Sequence, residues 1–110
     1  MPGTFELYKD AGGEFRFRFN ASNGQTILSS EGYKQRSNAE NGINSVKKNA
    51  AEDARYEPKE TNDGRFMFNL KASNGQVVGS SRIYKTASER DQGISMTKSD
   101  APGAETDDLT

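Results

Sequence analysis

Ala21-Ser22-Asn23-Gly24-Gln25 returns unchanged as Ala72-Ser73-Asn74-Gly75-Gln76, 51 positions further along the chain. The same offset carries Phe15 and Phe17 onto Phe66 and Phe68, Ser29-Ser30 onto Ser80-Ser81, Tyr33-Lys34 onto Tyr84-Lys85, and Gly42-Ile43 onto Gly93-Ile94. Between residues 15–50 and 66–101, 16 of 36 positions are identical without a gap, which chance does not produce outside low-complexity sequence. The chain is therefore a tandem duplication, with units at 4–53 and 55–104. Each unit is too small to bury its own apolar face well, so two copies are expected to share one core about a pseudo-twofold axis. Residues 1–104 then form a single domain, and 105–110 an acidic tail, frayed or forming a short strand around Thr106 to Leu109.

Just upstream of the repeated pentapeptide, Phe15-Arg16-Phe17-Arg18-Phe19 alternates as a strand with one buried and one wet face does. Its counterpart Phe66-Met67-Phe68-Asn69-Leu70 keeps only the apolar positions, which assigns the phenylalanine side to the core and the arginine side to the surface. Asn-Gly is a strong hairpin signal, because Gly accepts positive φ without steric cost. A three-residue loop would pair Ala21 with Gln25, Phe19 with Ile27 and Phe17 with Ser29. A two-residue loop would set Phe19 against Leu28 and Leu70 against Gly79. The first buries a large apolar residue in both copies and is the predicted register.

Phe5-Glu6-Leu7-Tyr8 and Tyr56-Glu57-Pro58-Lys59 are the predicted first strands of the two units, with Pro58 confining the latter to an edge or a strand end. Ser37-Asn38-Ala39-Glu40 has the form of a capping box and Ser88-Glu89-Arg90-Asp91 a shorter-armed version, so helices are predicted to start there. Ala39, Gly42, Ile43, Val46 and Ala50 give the first helix a single apolar stripe. The glycines at 42 and 93 predict a helix backbone lying close to the sheet, with Ser29 and Ser80 as the small residues beneath it.

These residues resemble the duplicated members of the YegP-like family of small bacterial proteins. The resemblance is carried by Phe5-Glu6-Leu7, Phe15-Arg16-Phe17, the repeated pentapeptide, Ser29-Ser30, Tyr33, Gly42-Ile43, Ser45-Val46-Lys47 and their second-copy partners. It implies an α+β fold: two tandem β3-α-β repeats forming one antiparallel sheet with two helices packed on it, and with exchanged C-terminal strands. It implies no activity.

Composition narrows the chemistry. The 110 residues include no Cys, His or Trp, which removes disulfides, thiol nucleophiles, Cys/His zinc sites and Ser-His-Asp machinery. No cofactor or metal is expected, and Glu6, Asp10, Glu14 and Glu31 read as solvated surface. The apolar runs are too short to span a bilayer, and the first residues lack the pattern of a secretory signal, so the cytoplasm is the expected compartment.

Two places invite a ligand. Arg16 and Arg18, interleaved with phenylalanines, suggest single-stranded nucleic acid, but alternation points rings and guanidiniums to opposite faces, and the net charge is −1. Tyr33-Lys34 and Tyr84-Lys85 sit between a strand and a helix N-terminus, where free N–H groups can hold anions; otherwise the tyrosines cap the core with wet hydroxyls and the lysines are ordinary surface charge. The twin serines have no base to activate them. The expectation is a monomeric, non-catalytic binding or interaction module with a protein partner. Weak nucleic-acid or anionic-ligand binding through Arg16, Arg18, Tyr33, Lys34, Tyr84 or Lys85 is the alternative, and an enzyme of unrecognised type the third.

Overall fold

Strict alternation makes Phe15–Asn20 (β2) a two-faced strand, and Thr4–Lys9 (β1) pairs antiparallel with it, setting Phe5 against Phe19 and Leu7 against Phe17. A computed structural model describes residues 3–110. After β1 and β2 come β3 (Thr26–Ser29), α1 (Arg36–Asn49), a 3₁₀ turn at Asp53–Arg55, β4 (Tyr56–Glu60), β5 (Phe66–Lys71), β6 (Val77–Ser81), α2 (Ala87–Asp100) and β7 (Glu105–Asp108). The strands form one sheet in the order β4-β5-β6-β3-β2-β1-β7. This is the α+β duplication expected, antiparallel throughout except that β7 runs parallel to β1. The strand after each helix belongs to the other half of the sheet: β4 pairs with β5, and β7 with β1. The acidic tail is thus an edge strand, all four of its residues exposed. Pro58 lies in the opposite edge strand, where its missing N–H breaks no bond.

The two copies meet where β3 pairs antiparallel with β6. There Ser29 stands opposite Ser80, its own equivalent at the 51-residue offset, so the pseudo-twofold axis passes between these serines. Both helices lie on the face that carries Phe17 and Phe68. That face buries Phe5, Leu7, Phe17, Phe19, Ile27 and Leu28 from the first copy and Phe68 and Leu70 from the second.

The hairpin register differs from expectation beyond the turn. Gly24 has φ +87°, and Ala21 N–H donates to Gln25 O at 2.9 Å, as a three-residue loop requires. A bulge follows, so that Phe19 faces Leu28 and Leu70 faces Gly79. The bulge turns both Ile27 and Leu28 inward, 1% and 0% exposed, where a regular register would have buried one of them. Gly79 leaves no void, because a Cβ there would already touch the Leu28 side chain at 3.5 Å. One large and one absent side chain at equivalent positions fill the interior across the axis.

The helices also begin earlier than predicted. Thr86, not Ser88, caps α2: its hydroxyl accepts from Glu89 N–H at 3.1 Å and donates to the Glu89 carboxylate at 3.2 Å. The equivalent Gln35 of α1 makes no side-chain cap. The buried stripe of α1 is as expected, Ala39, Gly42, Ile43 and Val46. In α2 a threonine stands in the position of Val46, and Thr97 is buried because its hydroxyl donates to Gly93 O at 2.8 Å. Ser29 and Ser80 stand on the far face rather than under a helix, Ser29 exposed and the Ser80 hydroxyl donating to Asn69 Oδ1 at 2.9 Å. The serines that act structurally are Ser30 and Ser81, whose hydroxyls accept from Phe17 N–H at 2.9 Å and Phe68 N–H at 2.8 Å.

Candidate functional site

On the face away from the helices, side chains at equivalent positions have traded places. Glu6 accepts from Arg18 at 2.6 Å and from Asn20 at 2.8 Å. Glu57, its counterpart, accepts from Asn69 at 3.2 Å and from Lys71 at 2.9 Å, so the amide stands where the first copy has the cation and the cation where it has the amide. These bonds hold both carboxyl groups below the usual carboxylate range, Arg18 and Lys71 contributing most. Arg16 is likewise held by Asp10 at 2.6 Å, which lowers the Asp10 carboxyl. Arg18 also lies 4.6 Å over the Tyr8 ring. Arg16 and Arg18 are thus neutralised in place, and Glu6 and Asp10, expected to be plain surface, are their partners. A phosphate backbone would have to break these pairs before it could use them.

The Tyr-Lys corners are built by the strand geometry. Tyr33 bridges Phe15 and Tyr84 bridges Phe66 through paired backbone bonds, after which the chain turns into the helix. Each ring then reaches under a helical glycine. A Cβ on Gly42 would lie 2.8 Å from the Phe17 ring and 3.0 Å from the Tyr33 hydroxyl. On Gly93 it would collide with the Tyr84 hydroxyl and lie 2.9 Å from Cζ of the same ring. The glycines are required because aromatic rings occupy the space between helix and sheet, Phe17 with Tyr33 beneath Gly42 and Tyr84 beneath Gly93.

The tyrosines therefore cap the core, as the plainer reading had it, but the hydroxyl of Tyr84 is not wet. It is buried and has no hydrogen-bond partner among the described residues. Burial raises the pKa of both phenols; the charge of Glu31 adds to the rise at Tyr33, whereas at Tyr84 Arg82 opposes it and Glu89 reinforces it. Lys34 and Lys85 are exposed, and neither forms an ion pair among the described residues.

Beside Tyr84 a cleft of about 370 Å³ opens between β3, the start of α2 and the chain joining β6 to α2. Ile27, Met96 and the Tyr84 ring supply its apolar lining, and Arg82, Lys85 and Glu89 its charge. It joins residues from both copies, since Ile27 belongs to the first. Of these residues only Tyr84 and Lys85 stand out in the sequence. Arg82 could have been found there too, because it replaces an acid, Glu31, at the equivalent position. At the α2 N-terminus the Thr86 hydroxyl already takes one of the N–H groups, that of Glu89.

No group of three or more acidic residues among the described residues is placed to hold a metal ion. No described helix is long and apolar enough to cross a membrane.

Comparison with known proteins agrees with this architecture. The domain of unknown function DUF1508 matches residues 10–57 and again 62–108, each match running past a helix into the strand that follows it. The "UPF0339 protein in ptx operon 5'region" of Stutzerimonas stutzeri is 59% identical over 104 residues, 94% of each chain. UPF0339 protein YegP of Escherichia coli K12 is 46% identical over 110 residues, the whole of both chains. The solution NMR structure of UPF0339 protein SO3888 from Shewanella oneidensis superposes with a TM-score of 0.93 at 39% identity, covering 100% of this chain and 93% of that one. With two adjacent DUF1508 units and full-length similarity to YegP, the chain belongs to the UPF0339 (YegP-like) family in its tandem-repeat form.

Proposed function

We propose that this protein is a small non-catalytic binding module of the bacterial cytoplasm, acting as a monomer, that engages a protein partner through the cleft beside Tyr84 and Lys85. One observation carries the reading. The cations of the open sheet face are committed to carboxylates, whereas Arg82 and Lys85 have no ion-pair partner among the described residues and flank, together with Tyr84, a concave surface. Concave sites that mix apolar lining with a few convergent polar groups are where ligands are held. Catalysis finds less support, because nothing near Tyr84 pairs a nucleophile with a base. Nucleic-acid binding through Arg16 and Arg18 would have to overcome two short ion pairs on a chain of net charge −1.

The test is a comparison of isotope-labelled chain in buffer and in bacterial cytosol. Amide signals of Tyr84, Lys85 and Gly93 should broaden or shift in cytosol, and an Arg82→Glu, Lys85→Glu chain should lose that response. A response centred on Arg16 and Arg18, or none at any residue, contradicts the proposal.

A further inference from the structure

Resting on that reading of the cleft, we propose that the Tyr84 corner recognises an oxyanion on its partner, a carboxylate or a phosphoryl group, and that the Tyr33 corner does not. The two corners share a backbone plan but differ in the charges set around it. At the offset of 51, Glu14 becomes Arg65, Glu31 becomes Arg82, and Gly32 becomes Ile83, while Tyr and Lys are kept. The structure places these differences at the tyrosines. In the first corner the Glu14 side chain lies over Gly32, where an added Cβ would come within 3.0 Å of its carboxyl carbon. The acid thus stands over the residue that precedes Tyr33. In the second corner Arg65 is drawn away to Asp63, at 2.7 Å, and the cleft is open. Arg82 lies against the Tyr84 ring, 5.8 Å from its centre. Arg82 and Lys85 flank the cleft from one connecting segment, with Glu89 the single opposing charge in its lining.

An approaching oxyanion meets two unpaired cations in the second corner and two carboxylates beside one lysine in the first. Long-range attraction and final pairing therefore both favour the second corner. Guanidinium and ammonium groups pair with carboxylates and phosphates alike, Arg by a planar fork and Lys as a point charge. The apolar lining from Ile27 and Met96 suits the carbon stem that carries the oxyanion.

The intact labelled chain is titrated with N-acetylglutamate, its neutral isostere N-acetylglutamine, and inorganic phosphate. N-acetylglutamate should shift Tyr84, Lys85 and Gly93 while leaving Tyr33, Lys34 and Gly42 in place, and N-acetylglutamine should not. A stronger response to phosphate than to N-acetylglutamate assigns the phosphoryl group, and the reverse assigns the carboxylate. Arg82→Glu should weaken binding at least tenfold, Arg82→Lys should retain most of it, and Glu89→Gln should tighten it several-fold. These side chains are exposed, and each variant's spectrum shows directly that it is folded. Equal shifts with N-acetylglutamine would overturn the oxyanion assignment while leaving the cleft as a binding site. Equal response at both corners, or none with any probe, would overturn the inference outright; the cytosol comparison tests the cleft separately.

Discussion

Replacing Gly93 by Ala adds one methyl group where α2 lies nearest the sheet. In an exposed helix interior this change stabilises by about 1 kcal/mol, because Ala restricts the unfolded chain and suits the helix. Here the added carbon would overlap the Tyr84 hydroxyl and approach Cζ of that ring to 2.9 Å and the Phe68 ring to 3.3 Å. Phe68 is fully buried, so the phenol cannot withdraw toward it. Overpacking of this kind costs about 1–3 kcal/mol. The helix gain offsets part of that, leaving a net loss of about 0–2 kcal/mol, or up to roughly 8 °C in Tm for a domain of this size. Urea denaturation followed by circular dichroism measures it. The cause is testable through Tyr84→Phe. That change deletes the atom met first, and since the hydroxyl is buried without a partner, the single substitution should be neutral or stabilising by up to about 1 kcal/mol. Made together with Tyr84→Phe, Gly93→Ala should cost clearly less than in the parent chain, the remainder coming from Cζ of the ring at 2.9 Å. At Gly42 the first obstacle is the Phe17 ring edge, at 2.8 Å, so Tyr33→Phe should rescue Gly42→Ala only in part. Gly93→Ala raising the denaturation midpoint, or costing as much in the Tyr84→Phe variant as in the parent chain, would refute the packing argument.

Three further outcomes are expected. The carboxyl groups of Glu6 and Glu57 are held low by their cation and amide partners, so they contribute stability above the unfolded carboxylate pKa and lose it as pH falls through their folded values. Tm should therefore hold from neutrality to about pH 5 and decline below about pH 4, with a shallower decline in Glu6→Gln. Exchanging the cation and amide of the first copy by Arg18→Asn with Asn20→Lys should cost less than Arg18→Asn alone and stay within about 1 kcal/mol of the parent, since the second copy holds its glutamate that way; a loss larger than that of the single change, read from urea midpoints, would deny the equivalence. Gln35→Thr with Asn38→Glu copies the α2 cap onto α1, which lacks one, and should raise stability by about 1 kcal/mol in the same assay.

Much of the fold is legible because identity between copies and alternation within strands report the same physics, burial on one face of a shared sheet. Phe17 and Phe68 mark the core, and Pro58 marks an edge. What escapes is set by contacts between copies. Leu70 facing Gly79 looks like an empty pair until Leu28 crosses the axis to fill it, and the bulge that buries Ile27 beside Leu28 leaves no mark in strand periodicity. The helix starts are obscured for a related reason: Ser37 and Ser88 are identical in the two copies, yet the functioning cap is Thr86, whose counterpart is a glutamine. The candidate site shows the same division. Tyr84 and Lys85 stand out by repetition, but repetition alone makes the two corners equal. What separates them is the change from Glu31 to Arg82 and from Gly32 to Ile83, together with a cleft that takes Ile27 from the other copy.

The two copies, and the cleft that draws on both, form one cooperative interior only if neither opens alone. Residue-resolved hydrogen exchange in low denaturant reads this at the equivalent amides of Phe17 and Phe68, each bonded to a serine hydroxyl in its own copy. Both should open with the same free energy, equal to that of global unfolding, and with the same dependence on denaturant. Exchange at one of them through a separate opening of lower energy and weaker denaturant dependence, while the other stays protected, would show two independent halves and contradict a shared core.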